Sequence, residues 1–210
     1  MTMSIFTSTP KFNTVPTVNF RQLDFLAHYL KDIDGFIAGG CFKHILSGET
    51  PKDLDVYFSN EAKFKAAVRH FTHNSEYTFS YKNSKVTAFN NVTSGVRVEL
   101  INTLDGSPKE VLSNFDFTIT KMAFYTVKTN VGSENMLTYH KDFFEHFAMK
   151  RLVIDDKLPF PISTFERTYK YRDYGYALCR ESKLKLLREI TNINEVSAEA
   201  LSDSFYGGWD

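Results

Sequence analysis

The 210-residue sequence has little cysteine, no formal net charge and no long apolar run. Its two cysteines, Cys41 and Cys179, are too few for a disulfide framework or a cysteine zinc site, so we interpret both as structural thiols in a reducing compartment. Zero net charge argues against a protein that coats nucleic acid by bulk electrostatics. No apolar run approaches the roughly 20 residues that span a bilayer, and no charged-then-apolar signal pattern opens the chain. We therefore expect a cytoplasmic protein without a membrane partner, whose oligomeric state the sequence leaves open.

The residues that are abundant are those of a globular domain. Hydrophobic residues make up 42% and charged residues 24% of the chain, which are ordinary values for folded proteins. Twenty Phe and eleven Tyr predict an aromatic-rich core. The patterns predict an extended leader over residues 1–18, a main domain over 19–140, and a helical extension with an acidic tail over 141–210.

Helical and strand-like patterns alternate along the main domain, which predicts an α/β fold built on a mixed sheet flanked by helices. Residues 19–34 have helical spacing with Asn19 as the expected cap. The expected strands are 35–38, 54–58, 77–81, 85–89 and 96–101. A helix is expected over 60–73, and a capping box at 107–110 predicts another to about 114. Residues 115–127 are ambiguous. A second capping box at 163–166 opens a helical pattern to about 190, with an interruption at Gly175.

One segment suggests chemistry. A short apolar strand ends at Gly39 and Gly40, where absent side chains would let a phosphate approach the backbone and the start of the next helix. After a short helix and a turn, a strand carries Asp53 and Asp55. Because side chains alternate along a strand, these two carboxylates point to one face. Such a pair suits Mg²⁺, which binds carboxylates together with substrate phosphates.

Each part of this segment has an ordinary structural explanation. A Gly-Gly pair is a common turn, and an Asp-x-Asp pair is a common solvated strand end. The combination of strand, Gly-Gly, helix and Asp-x-Asp strand in this order is more specific. It favours a site for nucleotide transfer.

With these residues, the segment resembles the DNA polymerase beta-like nucleotidyltransferases, and within them the head domain of bacterial poly(A) polymerases and CCA-adding enzymes. Lys43 and His44 stand where that family has Arg-Asp. The strand at residues 96–101 is similar to the family strand with a third acidic residue, which is Glu99 here. Residues 114–119 resemble the family's ribose-recognition motif and keep its aspartate as Asp116, although both arginines of that motif are lost.

The stretch at residues 162–176 looks like the family's neck helix. On a helix, Arg167, Lys170, Tyr171 and Tyr174 would share one face, which could contact phosphate and stack a base. In the alternative interpretation the tyrosines belong to the core and the cations to a solvated edge. Since the chain ends soon after this helix, we do not expect a complete CCA-adding enzyme.

The resemblance implies a nucleotidyltransferase that passes a nucleoside monophosphate from a nucleoside triphosphate to an acceptor hydroxyl, with an RNA 3′ end as the expected acceptor. It implies two Mg²⁺ ions, or Mn²⁺ in their place, held by Asp53, Asp55 and a third carboxylate, for which Glu99 is our candidate and Asp116 the alternative. The expected nucleotide-binding residues are Gly39, Gly40, Lys43, Lys52, Asp116, Arg167 and Lys170. Two other functions stay open: an inactive RNA- or protein-binding module of the same fold, and a small toxin or defence-type enzyme that modifies tRNA or protein.

Overall fold

The computed structural model describes residues 11–156 and 158–193. The strands within these residues are β1 (Phe12–Pro16), β2 (Phe36–Ala38), β3 (Asp53–Phe58), β4 (Tyr77–Lys82), β5 (Val86–Asn91), β6 (Arg97–Asp105), β7 (Met122–Thr129), β8 (Gly132–His140), β9 (Arg151–Leu152) and β10 (Ala177–Leu178). The α-helices are α1 (Leu26–Tyr29), α2 (Cys41–Leu46), α3 (Glu61–His73), α4 (Pro108–Ser113), α5 (Phe143–Ala148), α6 (Pro161–Asp173) and α7 (Arg180–Thr191).

Eight strands form one mixed sheet in the order β1-β8-β7-β2-β3-β6-β5-β4. Strands β3 and β6 run parallel to each other, and the other neighbouring pairs of this sheet are antiparallel. Strands β9 and β10 form a separate parallel pair. The predicted mixed α/β sheet with flanking helices is thus confirmed.

Alternation along β3 determines which residues face the core. Leu54, Val56 and Phe58 point into the largest hydrophobic cluster, together with residues of α1, α2, α3 and α5. Asp53 and Asp55 therefore lie on the opposite face of the sheet, because successive side chains of a strand point to opposite sides. On that face Tyr57 joins a second cluster that packs against α4.

A third hydrophobic cluster attaches the C-terminal helices to the rest of the molecule. Tyr171 of α6 and Leu186 of α7 pack in it with Phe117, Ile119 and Leu152. Ring contact between Phe117 and Tyr171, at 5.1 Å between centroids, forms part of this junction. The helical extension is therefore packed onto the loop that follows α4.

Residues 19–34 do not form the single helix that their spacing predicts. The chain instead makes two short 3₁₀ turns, at residues 17–19 and 21–23, followed by the four-residue α1. Leu23, Leu26 and Leu30 are nevertheless buried as expected. Tertiary packing has outweighed helical propensity, since successive short turns can direct the same apolar side chains into the core.

The sheet begins before the expected start of the main domain. Strand β1 pairs antiparallel with β8, from Phe12 opposite His140 to Pro16 opposite Met136. Proline is tolerated here because β1 is an edge strand. Residues 12–16 of the expected leader are thus extended but belong to the sheet, and residues 17 and 18 begin the first 3₁₀ turn.

The two predicted capping boxes have different outcomes. At α4, Ser107 Oγ accepts a hydrogen bond from the Glu110 backbone N–H (3.4 Å), and the Glu110 carboxylate accepts one from the Ser107 backbone N–H (2.7 Å), so the prediction is confirmed. At α6 it is wrong, because the helix starts at Pro161 and Ser163 lies inside the first turn. Proline, with its fixed φ, is favoured at the first helical position.

The remaining patterns are placed as follows. The ambiguous stretch at residues 115–127 becomes a 3₁₀ turn at 118–120 and the start of β7. The predicted interruption at Gly175 is confirmed, since this residue has φ of 84° between α6 and α7.

The predicted acidic tail beyond Asn194 lies outside the described residues. Among the described helices, none is both long and apolar enough to cross a membrane.

Candidate active site

The parallel pairing of β3 with β6 brings the predicted carboxylates together. Asp53 lies opposite Arg97, and Asp55 lies opposite Glu99. Residues in register on neighbouring strands point to the same face of a sheet. Asp53, Asp55 and Glu99 therefore share one face at the centre of the sheet, with Arg97 as the fourth member of the group.

Small residues flank these carboxylates along the row that crosses the strands. Ala38 of β2 lies opposite Asp55, and Ala88 of β5 lies opposite Glu99. Alanine side chains leave space above the sheet on both sides of the carboxylates. The next residue of the row, Tyr81 of β4, reaches back over Ala88, and its hydroxyl donates a hydrogen bond to Glu99 Oε1 at 2.9 Å.

Two charged or polar neighbours fix the orientation of Glu99. Burial, followed by the hydrogen bond to Glu99, raises the pKa of Tyr81 well above its ordinary value, so the phenol stays protonated and donates. Arg97 Nη1 lies 3.5 Å from Asp53 Oδ1 and 3.6 Å from Glu99 Oε1. The guanidinium is thus a cation placed between two of the three carboxylates.

Sequence reasoning missed both Tyr81 and Arg97. Arg97 could have been found, because it lies two residues before Glu99 on the same strand and so shares its face. Tyr81 could not, because its position depends on the pairing of three strands.

The Gly-Gly turn follows β2 beside this group. Gly39 has φ of 104°, a left-handed conformation that favours glycine, and its N–H donates to the Met122 carbonyl at 3.2 Å. Gly40 precedes the first residue of α2 and lines the space above the carboxylates. Gly39 is therefore a structural requirement of the turn, and Gly40, which is itself buried, is the residue of the turn that lines the cleft.

The sequence predicts a phosphate contact for Lys43, whose side chain lines the cleft and is largely buried. Lys43 is 6% exposed, and its ammonium donates to the Gly40 carbonyl at 3.0 Å. The same ammonium lies over the rings of Tyr171 (5.1 Å) and Tyr174 (4.8 Å), an arrangement that stabilises a cation. Lys43 thus links α2 to α6 beneath the turn.

His44 occupies the position of the family's aspartate and has a carboxylate partner of its own. Its Nδ1 lies 2.7 Å from Glu49 Oε2, and its ring meets Tyr174 edge-on at 5.1 Å. The hydrogen bond from His44 lowers the pKa of Glu49. Both residues of this pair line the cleft.

Asp116 is buried away from the other carboxylates. It accepts hydrogen bonds from the Phe117 backbone N–H (2.7 Å), Thr164 Oγ1 (2.9 Å) and Arg167 Nη1 (2.9 Å). Because Thr164 and Arg167 belong to α6, Asp116 fastens this helix to the loop after α4. The geometry favours Glu99 over Asp116 as the partner of Asp53 and Asp55.

The predicted basic and aromatic face of α6 divides between core and cleft. Tyr171 is fully buried, as the core interpretation requires, whereas Tyr174 is 39% exposed. Arg167, Lys170 and Tyr174 line the cleft above the carboxylates. Tyr171 therefore fits the interpretation of this face as core, whereas Arg167, Lys170 and Tyr174 fit its interpretation as a ligand-binding surface.

All these elements enclose one cleft of about 1230 Å³. Of the predicted site residues, Gly39 and Asp116 lie outside its lining. The others line it: Gly40, Lys43, Lys52, Asp53, Asp55, Glu99, Arg167 and Lys170. Its cationic lining is completed by Lys85 and Arg97, and its anionic lining by Glu49 and Glu166. Both charge signs are present, which suits a negatively charged ligand that arrives with a cation.

A divalent cation fits the carboxylates if a substrate supplies further oxygens. Within residues 11–156 and 158–193, no group of three His, Cys, Asp or Glu side chains is close enough to hold a metal by itself. Mg²⁺, however, commonly uses one or two carboxylates plus substrate phosphates. Asp53 and Glu99 already direct oxygens at one cation, the Arg97 guanidinium. The donor set therefore fits a metal that is completed by a phosphate ligand.

The environment of Cys41 agrees with its interpretation as a structural thiol. This residue is buried at the start of α2, and burial raises the pKa of its thiol. A protonated, enclosed thiol is unreactive.

Comparison with solved structures defines the class of fold. The chain resembles a CCA-adding enzyme in complex with CTP (TM-score 0.64, 13% identity, 93% of this chain and 51% of that chain) and with ATP (TM-score 0.65, 14% identity, the same coverage). It also resembles the Thermotoga maritima CCA-adding enzyme complexed with tRNA (TM-score 0.56, 14% identity, 86% and 46% coverage). The chain therefore has a nucleotidyltransferase-type fold.

Sequence comparison identifies the family. Residues 16–150 match the Gabija anti-defense 2 family, and the chain belongs to this family. A relative from Bacillus phage SPbetaL7, named Gabija anti-defense 2, is 26% identical over 183 residues, which are 87% of this chain and 44% of the relative. The chain thus spans less than half the length of that relative.

Proposed function

We propose that this chain is a metal-dependent nucleotidyltransferase, which transfers a nucleoside monophosphate from a nucleoside triphosphate to an acceptor hydroxyl and releases pyrophosphate. The observation that carries the proposal is the placement of Asp53 and Asp55 beside Glu99 on one sheet face, under a cleft with many cations. The fold shared with CCA-adding enzymes supports the same chemistry. We also propose residues 19–140 as the catalytic domain and residues 141–210 as a neck and tail.

The roles of the side chains follow from their places in the cleft. Asp53 and Asp55, with Glu99, would hold Mg²⁺ or Mn²⁺, which when bound neutralises charge on the α-phosphate and favours the deprotonated acceptor hydroxyl. Tyr81, through its hydrogen bond to Glu99, would hold this carboxylate in place for the metal. The new bond joins the acceptor oxygen to the α-phosphorus as the bond to the bridging oxygen breaks, so the electron pair leaves with pyrophosphate.

Other cleft residues bind and position the nucleotide. Lys52, Arg167 and Lys170 place positive charge around the cleft, and Gly40 lines the cleft at the end of β2. Lys43 contributes indirectly, because its ammonium connects the Gly-Gly turn to the C-terminal end of α6. Positioning and charge neutralisation are the main sources of catalysis in such reactions.

We propose an RNA 3′ end as the acceptor. The support comes from the solved relatives, one of which is a complex with tRNA, and from the cations of α6 that line the cleft. The name of the phage relative suggests that this reaction serves anti-defense against Gabija.

A second candidate is an inactive module of the same fold that binds RNA or protein. Two observations favour it: Arg97 already lies between Asp53 and Glu99, and Lys43 is buried where the related enzymes have an arginine. In this case the carboxylates and Arg97 would be a surface ion-pair network without a metal.

The two candidates differ in a transfer assay. Each of the four nucleoside triphosphates, labelled at the α-phosphate, is incubated with Mg²⁺, total RNA and total protein. The chain is tested as wild type, as an Asp53→Asn, Asp55→Asn variant, and as Asp105→Asn. The last variant is the matched control, because Asp105 is exposed at the far end of β6 and outside the cleft.

Transfer by wild type and by the Asp105 variant, but not by the double variant, would support the proposal. Label in RNA would support the proposed acceptor, whereas label in protein would replace it. No transfer, together with no Mg²⁺-dependent nucleotide binding, would favour the inactive module.

A further inference from the structure

Arg97 lies near two carboxylates of the site in an arrangement that is unusual for a structural arginine. Its guanidinium approaches two carboxylates without a close hydrogen bond to either, at 3.5 Å from Asp53 and 3.6 Å from Glu99. Its Nε atom is buried and has no hydrogen-bond partner within the described part of the chain. A guanidinium that is fixed for structural reasons usually makes paired, bidentate bonds, so this arginine is held by charge more than by geometry.

We propose that Arg97 is a triphosphate-binding residue that alternates with the metal. Without a metal its guanidinium neutralises Asp53 and Glu99. When a divalent cation binds these carboxylates, Arg97 turns into the cleft and binds the phosphates of the nucleotide. This inference rests on the proposed function, because it assumes a metal and a nucleotide in the cleft.

Electrostatics make the two positions of Arg97 alternatives. A divalent cation between Asp53 and Glu99 would take the oxygens that Arg97 now faces, and two cations at one point repel each other. The displaced guanidinium needs a new anion. The triphosphate is the anion of matching shape, since the planar fork of arginine fits phosphate oxygens.

The local structure gives Arg97 the freedom to move. Its side chain is 43% exposed and lines the cleft, whereas Glu99 is held from the other side by the hydroxyl of Tyr81. Arg97 lies over the Tyr81 ring, with 6.0 Å between the guanidinium carbon and the ring centroid. The ring therefore offers a flat surface along which the guanidinium can turn while the carboxylate stays in place.

The test measures binding, not activity. Mn²⁺ affinity without nucleotide is determined by electron paramagnetic resonance, and affinity for a fluorescent ATP analogue is determined by anisotropy at saturating Mn²⁺. The variants are Arg97→Gln and Arg97→Lys. The matched control is Lys82→Gln, which removes a positive charge from strand β4, two strands away from β6, at an exposed residue outside the cleft lining.

Arg97→Gln should bind Mn²⁺ about fivefold more tightly than wild type, because loss of the two ion pairs of the half-exposed Arg97 frees the carboxylates. It should bind the nucleotide about tenfold more weakly, which is the loss expected for a charged hydrogen bond. Arg97→Lys should keep the Mn²⁺ affinity of wild type and lose nucleotide affinity. Lys82→Gln should change neither affinity by more than about twofold.

Unchanged Mn²⁺ affinity in Arg97→Gln, while wild type binds Mn²⁺ through Asp53 and Asp55, would overturn the inference and leave the proposed function intact. Tighter Mn²⁺ binding with unchanged nucleotide affinity would overturn the phosphate role. The proposed function itself fails on a different result, namely equal Mn²⁺ binding by wild type and by the Asp53→Asn, Asp55→Asn variant. Thermal unfolding followed by circular dichroism establishes that each variant is folded.

Discussion

Asp155 is the centre of a buried charge cluster that connects the N-terminal strand, the sheet and the C-terminal helices. Its Oδ2 lies 2.6 Å from both Lys121 Nζ and Lys11 Nζ, and its Oδ1 lies 3.8 Å from His140 Nε2. Lys121 is completely buried and Asp155 nearly so. Asp155→Asn would therefore leave the buried Lys121 ammonium without its close counter-charge.

The expected loss of stability is about 3 kcal/mol at pH 7, since removal of one partner of a buried ion pair typically costs 3–5 kcal/mol. For a chain of this size that corresponds to a fall in melting temperature of roughly 6–12 °C. The matched control is Asp156→Asn. Asp156 also contacts Lys11, at 3.0 Å, but its side chain is 85% exposed, so its loss should cost less than about 0.5 kcal/mol.

The same cluster sets the acid stability. Burial alone would raise the pKa of Asp155, but Lys121 and Lys11 outweigh burial and lower the pKa from 3.8 to about 2. A lowered folded-state pKa stabilises the protein above the unfolded pKa, and this stability is lost as the pH falls from about 4 to about 2. After a discount for the partial exposure of Lys11, the contribution is about 1–2 kcal/mol.

Urea unfolding of the three proteins at pH 7 and at pH 3 measures both effects. Asp155→Asn should be the least stable at pH 7 and should show the smallest change between the two pH values. Adding Lys121→Met to Asp155→Asn should restore much of the stability, because no buried charge then remains unpaired. Equal stability of the Asp155 and Asp156 variants would refute the reasoning.

The remaining predictions concern the third carboxylate, a glycine in the core and a helix cap. Glu99→Gln should lower nucleotide transfer at least about 100-fold with little change in melting temperature. Asp116→Asn should cost about 2–3 kcal/mol of stability, because it removes the charge from a buried carboxylate that accepts three hydrogen bonds. Transfer rates and unfolding curves of both variants check this, and the opposite pattern would make Asp116 the metal partner. Gly35→Ala should destabilise by about 1–3 kcal/mol, since the added Cβ would lie 2.9 Å from the Phe58 ring and 3.0 Å from the Tyr57 carbonyl; an unchanged urea midpoint would contradict the close packing. Ser107→Ala should cost about 1 kcal/mol through loss of the α4 cap, and retention of stability by Ser107→Thr but not by Ser107→Val would tie that cost to capping.

The alternation of polar and apolar side chains along β3 was predictable from the sequence, and it places two of the three candidate carboxylates. The order Asp53, Leu54, Asp55, Val56 places two carboxylates on one face and two apolar side chains on the other, and the structure has this arrangement. The Gly-Gly turn was predictable for the same local reason. In both cases the determining interactions lie within a few residues of each other in the chain.

Features that depend on distant contacts could not be predicted in this way. Asp55 and Glu99 lie next to each other only because β3 pairs in parallel with β6. These two residues are more than 40 positions apart in the sequence. The position of Lys43 depends on α6, whose tyrosine rings enclose its ammonium. The sequence assigns Lys43 to a phosphate because its spacing matches the related enzymes, and spacing contains no information about that enclosure.

The helix predicted over residues 19–34 is wrong for a different reason. The apolar spacing of this segment indicates which residues are buried, but burial alone does not specify a continuous helix. Short turns bury the same leucines against the sheet, and the local pattern does not distinguish them from a helix.

The most direct test of the central claim is pyrophosphate release from a nucleoside triphosphate with Mg²⁺ and total RNA, measured for wild type, Asp55→Asn and Asp105→Asn. We predict release by wild type and by Asp105→Asn, and a loss of at least about 100-fold in Asp55→Asn, with all three proteins equally folded. Equal release by wild type and Asp55→Asn, or no release by wild type despite bound nucleotide and metal, would contradict the proposed function.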